Sequence, residues 1–132
     1  MGRRKPSLPL RRDCTRKRGH DGAGHRDDVV KVLNEILEVE LAGAVRYTQY
    51  SLMVYGHRRI PITSWMREQA AEALLHATQV GEEVTTLGAN VSLGIGELVG
   101  THHSTVDEMM QEMLLHERRG LDLTVESHEQ LR

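Results

Sequence analysis

Two glutamates, Glu40 and Glu117, lie where helical periodicity predicts apolar side chains. When residues 29–54 are projected at about 100° per residue, Glu40 is at the centre of an apolar face formed by Val29, Leu33, Ile36, Leu37, Ala44, Tyr47 and Val54. Glu117 is at the centre of another, formed by Val106, Met110, Met113, Leu114 and Leu121. A buried carboxylate is normally paired, protonated or bound to a metal.

A third segment offers two more groups of the same chemistry. Glu72 and His76 are four residues apart, so on a helix they share a face and can converge on one ion. Alone, they are more typical of a surface pair with a favourable contact than of a metal site. Taken with Glu40 and Glu117, they predict a shared metal site, and carboxylates with an imidazole suit iron or manganese.

Three helices are predicted to carry these residues, at about residues 27–55, 65–87 and 105–128. No strand pattern of any length occurs in the sequence. Two glycines are predicted to close the first and second helices, and short polar residues to begin the second and third. The glycines are Gly56 for the first helix and Gly88 for the second. The first residue is Thr63 or Ser64 in the second helix and Ser104 or Thr105 in the third.

Composition excludes several classes of protein. The 132 residues suffice for one domain, and a core without phenylalanine favours helices. The only cysteine, Cys14, rules out a disulfide framework within the chain and a cysteine-rich zinc site. No apolar run approaches the length of a membrane span, so a cytoplasmic location without membrane association is expected.

Charge divides the chain unevenly. Residues 1–26 carry a net charge of +7, whereas residues 27–132 carry −9. We therefore expect residues 1–27 to be a disordered basic arm and residues 28–132 to be the helical domain. The arm could be a solvated tail, an upstream extension or a nucleic-acid-binding segment. Its paired arginines precede no apolar region, so an export signal is not predicted.

The residues at these positions resemble bacterioferritins and other ferritin-like proteins over about residues 28–125. LNEILEVELAGAVRYTQYSLMVYG is similar to the first helix of that family, MREQAAEALLHATQVGEEVTTLG to the second and STVDEMMQEMLLHERRGLDL to the third. The resemblance implies a di-iron centre inside a four-helix bundle. It assigns Glu40, His76 and Glu117 as ligands, and Tyr47 as a redox-active or hydrogen-bonding tyrosine. A core tyrosine with a satisfied hydroxyl is the alternative for Tyr47.

The sequence also departs from the family pattern. Ala73 stands where the second helix of the family has a bridging glutamate, and Glu72 lies one residue further from His76 than usual. Leu74 replaces the methionine that binds haem in bacterioferritins, so haem is not predicted. The chain ends at Arg132, before a fourth helix with the remaining ligands. We therefore expect an all-α, ferritin-like up-down bundle with three long helices and the fourth missing.

The resemblance implies an iron-binding protein of iron storage and homeostasis that forms homo-oligomers. If the di-iron site is completed, it implies ferroxidase activity, the oxidation of Fe²⁺ by O₂ or peroxide. Two alternatives remain open: a non-catalytic structural or assembly partner, and a DNA-protecting protein that binds phosphates through residues 1–26.

Overall fold

The computed structural model describes residues 20–57, 59–98 and 102–130, and these form three helices. They are α1 (His20–Met53), α2 (Arg59–Thr86) and α3 (Val106–Gln130). No strand occurs within the described ranges, which confirms the all-α prediction. None of the helices in these ranges has the length and apolar character of a membrane span.

α1 begins earlier than predicted. Residues 20–27 form its first two turns, so the prediction of disorder is wrong for them. Extending an existing helix is easier than nucleating one. The other residues of the predicted arm, 1–19, lie outside the described residues.

α2 also begins earlier than predicted, at Arg59 rather than after a cap at Thr63 or Ser64. Pro61 falls within its first turn, where a backbone N–H has no helical acceptor and proline is tolerated. The hydroxyl of Thr63 donates to the carbonyl of Ile60 (3.1 Å) and does not cap the helix.

The end of α2 is as predicted, because Gly88 adopts a positive φ of 74°. Its N–H donates to the carbonyl of Thr85 (2.9 Å), and that of Ala89 donates to the carbonyl of Val84 (3.1 Å). This pair of bonds is a Schellman motif, which favours glycine at that position. α1, in contrast, ends at Met53, three residues before Gly56.

α1 packs antiparallel against both other helices. Tyr47 contacts Trp65 near the start of α2, and Tyr50 contacts Glu112 in the first half of α3. The core between them consists of Tyr47, Tyr50, Val54, Met66, Ala70, Met109 and Met113. Within the described ranges α2 and α3 do not pack against each other, so the side of the bundle between them is open.

The long connection between α2 and α3 runs along α1, as the glycine-rich sequence predicts for a crossover loop. The N–H of Gly96 donates to the carbonyl of Glu38 (2.7 Å), and the N–H of Ser92 donates to Asn34 Oδ1 (2.8 Å). α3 then begins with Thr105 as its cap. The N–H of Glu108 donates to the Thr105 hydroxyl (3.3 Å), and the Glu108 carboxylate accepts the N–H of Thr105 (3.2 Å), which together form a capping box.

Candidate metal site

The three helices bring all four predicted metal ligands to one cavity. Glu40 comes from α1, Glu72 and His76 come from α2, and Glu117 comes from α3. They line a cavity of about 140 Å³, together with Tyr47, Gln69 and Ala73. Residues as far apart as positions 40 and 117 therefore meet at one place in the fold.

His76 lies between two carboxylates. Its Nδ1 is 3.6 Å from Glu40 Oε1, and its Nε2 is 4.0 Å from Glu72 Oε1. The two carboxylates thus approach opposite ring nitrogens. A metal bound by one nitrogen would leave the other for a hydrogen bond, an arrangement that commonly orients metal-binding histidines.

Glu40 is only partly accessible, with 25% of its side chain exposed. Burial raises its pKa above the ordinary value of 4.5, the nearby imidazole of His76 opposes that shift, and the negative charge of Glu117 adds to it. Such a carboxylate is stabilised by taking up a proton or by a nearby cation.

Tyr47 connects α1 to the ligand on α3 by donating its hydroxyl hydrogen to Glu117 Oε1. The tyrosine is 3% exposed, and its ring meets Trp65 edge-on, with the ring centres 6.2 Å apart. Burial and the carboxylate together raise the pKa of Tyr47 far above the usual range. The hydroxyl therefore stays protonated and acts as a donor.

Glu117 differs from the sequence expectation of a core carboxylate. It is exposed, and so are its neighbours Leu114 (67%) and Leu121 (66%). These side chains belong to the apolar face predicted for α3, but no helix of the described residues covers them. A groove of about 480 Å³ opens here beside Glu40, His76 and Glu117, lined also by Leu33, Ile36, Gln79, Val80, Gly120, Leu121, Thr124 and Ser127.

The donor set fits one divalent cation better than a pair. Ala73 is buried (6% exposed) and lines the cavity, but its methyl group supplies no oxygen. Among the described residues, no three His, Cys, Asp or Glu side chains lie close enough together to hold a metal ion as they stand. A di-iron centre therefore does not fit the described residues alone. Glu40, His76 and Glu117 bring a carboxylate, an imidazole and a second carboxylate to this cavity, and their side chains would have to move closer together to bind one ion.

A second polar cluster, centred on Glu112, was not predicted from the sequence. Glu112 accepts hydrogen bonds from Tyr50 (2.6 Å) and Arg46 Nε (3.1 Å), and it also pairs with His103. The Arg46 guanidinium lies over the Tyr50 ring, 5.5 Å from its centre. The cluster joins α1, α3 and the end of the crossover loop. Its members are far apart in the chain, so no local spacing indicates it.

A family model of the ferritin-like domain matches residues 30–131. The chain belongs to the ferritin-like domain family. Neither the curated proteins nor the solved structures contained a match. The ferritin-like resemblance is thus confirmed, whereas the bacterioferritin subtype stays a prediction. Ferritin-like proteins generally bind iron, in storage or ferroxidase roles, and typically form oligomers.

Proposed function

We propose that this ferritin-like protein binds Fe²⁺ through Glu40, His76 and Glu117, with Glu72 assisting, in iron storage and homeostasis. One observation carries the proposal: three different helices direct these side chains to the same cavity. Hard carboxylate oxygens combined with an imidazole are the donor set that ferrous iron accepts.

Each residue has a distinct role in the proposed site. Glu40 is largely shielded from water, so a bound cation compensates a charge that the protein otherwise disfavours. His76 offers a ring nitrogen on the Glu40 side, while Glu72 supports the ring from the other nitrogen. Glu117 accepts the Tyr47 hydroxyl on Oε1, which leaves Oε2 as the oxygen for the cation.

Tyr47 is the residue that we propose for a role in oxidation. Its hydroxyl donates a hydrogen bond to Glu117 Oε1, and its ring is shielded from water by burial and by Trp65. Iron bound beside Glu117 would supply the redox chemistry. Tyr47 would orient the carboxylate and keep a proton next to it.

Calorimetry with Fe²⁺ under anaerobic conditions tests the binding proposal. Glu40→Ala and Glu117→Ala should each weaken binding by about tenfold or more, while helix content by circular dichroism is unchanged. Glu83→Ala, an exposed glutamate of α2, is the matched control and should bind like the parent. If the two site variants also bind like the parent, the metal assignment is wrong.

Oxidation requires more ligands than the described residues supply. Two-electron chemistry on O₂ or peroxide is typical of two metals held close together, and the donors here fit one. We therefore expect the 132-residue chain alone to oxidise Fe²⁺ only slightly faster than buffer, in stopped-flow absorbance. A fused helix carrying Glu-x-x-His should accelerate the reaction. Fast oxidation by the unmodified chain would show that other residues complete the site, and no gain from the added helix would favour a non-catalytic assembly role.

Self-association is part of the same proposal. Three apolar side chains of α3, Leu114, Leu121 and Val125, are more than half exposed, and apolar patches of this kind favour association. Sedimentation velocity should show species larger than a monomer, and Leu121→Gln should reduce them. A monodisperse monomer would contradict this expectation. A cytoplasmic location and nucleic-acid binding by residues 1–26 stay predictions from the sequence.

A further inference from the structure

His116 and Gly43 form an unusually close contact between α3 and α1. A Cβ atom added at Gly43 would lie 2.7 Å from His116 Nε2, closer than two such atoms can approach. The same imidazole lies near the main-chain carbonyl of Val39, close enough for a favourable polar interaction. His116 thus lies directly against the backbone of α1 at Gly43.

Gly43 makes this contact possible. In a helix each side chain leans towards the N-terminus, over the preceding turn, so a side chain at position 43 would cover the carbonyl of Val39. Glycine leaves that carbonyl open to the imidazole. Because glycine is unfavourable in a helix interior, its presence in the middle of α1 has a packing reason here.

The neighbour of His116 on α3 is Glu117, a proposed iron ligand. Successive residues of a helix project about 100° apart, so the two side chains diverge. His116 reaches Gly43, whereas Glu117 reaches Tyr47 and the cavity. The two contacts lie one turn apart on the same face of α1 but about 100° apart around α3, and together they oppose rotation of α3 about its own axis.

We propose that the contact of His116 with Gly43 and Val39 is a positioning device that fixes the rotation of α3, so that Glu117 meets Tyr47 and faces the iron cavity. His116 touches neither iron nor substrate in this role. The effect of this contact on iron binding rests on the proposed iron site, whereas the contact of His116 with Gly43 does not.

A test without metal uses the Tyr47–Glu117 hydrogen bond as the reporter. Tyr47→Phe should lower the urea midpoint of the parent chain. The same substitution should have almost no effect in His116→Ala or in Gly43→Ala, because in both of them Glu117 is no longer held at Tyr47. Ordinary packing by His116 predicts a different result, namely that Tyr47→Phe lowers the midpoint equally in all backgrounds, and that result would overturn the proposal.

A test with metal uses Co²⁺ and the fluorescence of Trp65, the only tryptophan of the chain, which contacts Tyr47. His116→Ala and Gly43→Ala should each weaken Co²⁺ binding by about tenfold. The double variant should bind Co²⁺ as tightly as the single variant with the lower affinity. His116→Gln keeps a donor for Val39 and should recover most of the affinity. Gly24→Ala is the control, since no atom lies within 4 Å of a Cβ there, and it should bind Co²⁺ like the parent.

The two tests separate the two proposals. If the parent does not bind Co²⁺ but Tyr47→Phe leaves the urea midpoint unchanged in the His116→Ala background, the proposal of an iron site is wrong and the positioning role stands. If the parent binds Co²⁺ and the His116 and Gly43 variants bind equally well, the positioning role is wrong and the iron site stands.

Discussion

Tyr47 on α1 donates its hydroxyl hydrogen to the carboxylate of Glu117 on α3, at the wall of the candidate iron site. The donor is buried and the acceptor lies on the open side of the bundle. This bond therefore links the core of the domain to a carboxylate that would otherwise point freely into the groove. It gives Tyr47 a structural task whether or not it takes part in oxidation.

Tyr47→Phe should lower the free energy of unfolding by about 1 kcal/mol, because a hydrogen bond to a partly exposed carboxylate contributes about that much. Urea unfolding of the metal-free chain measures it. Tyr55→Phe is the control, since Tyr55 is 83% exposed and its hydroxyl is hydrated. Equal stabilities of the two variants would show that the Tyr47 bond contributes nothing in solution.

Glu40 should make the stability of the metal-free chain depend on pH. Its pKa in the folded chain is raised above 4.5, chiefly by burial, so between the unfolded and folded pKa values the folded chain holds more protons. The free energy of unfolding should therefore fall as pH rises from about 4.5 and level off above the folded pKa.

Glu40→Gln removes this titration, so the pH dependence of the variant should be flatter above pH 4.5 than that of the parent. Urea midpoints at several pH values provide the comparison. Glu83→Gln, at an exposed position of α2, should follow the parent. A decline of the same slope in Glu40→Gln would mean that other groups cause it.

The sequence predicts the helices and the ligand-bearing positions because both depend on local periodicity. Glu40 stands out against an apolar stripe and His76 shares a helix face with Glu72, and the fold brings Glu40 and His76 within 3.6 Å of each other. The helix starts were harder to place. The predicted start at Thr63 or Ser64 places Pro61 in the connection before the helix, but proline is also acceptable in a first turn. Only the packing of α2 on α1 decides whether Pro61 lies in the connection or in the helix.

Contacts between distant residues could not be predicted in this way. Nothing in the local sequence pairs Arg46 with Glu112, or Gly43 with His116, because each pair is separated by more than sixty positions. The prediction that Glu117 is buried was wrong for a related reason. Periodicity identifies an apolar face, but it does not say whether another helix covers that face.

The Glu112 cluster should be important for stability. The side chains of Arg46 and Glu112 are 9% and 15% exposed, so Glu112→Ala leaves a largely buried guanidinium without its carboxylate. Breaking a buried pair from one side costs about 3 kcal/mol or more. Glu97→Ala breaks the exposed pair with Arg119 (77% and 60% exposed) and should cost about 0.5 kcal/mol or less. Thermal or urea unfolding of both variants gives the comparison, and similar losses would contradict it.

Ala73→Glu should create the missing carboxylate of the iron site. Ala73 lines the same cavity as Glu40, His76 and Glu117, and a glutamate there would give the spacing Glu-x-x-His on α2 that the ferritin-like pattern requires. In the metal-free chain the new carboxylate is buried beside three others, so the variant should be less stable than the parent. Fe²⁺ or Co²⁺ should restore that stability, and calorimetry should show tighter binding or a second bound ion.

Ala70→Glu is the matched control for this experiment. Ala70 lies one turn earlier on the same helix and is buried to the same degree, at 7% against 6% exposed. It belongs to the apolar core around Tyr50 and Met66 and does not line the cavity. The Ala70→Glu variant should lose stability as Ala73→Glu does, but divalent metal should not restore that stability. Equal rescue of both variants would mean that the ions act nonspecifically. Rescue of neither would show that a glutamate at position 73 does not complete a metal site, and that the cavity holds one ion at most.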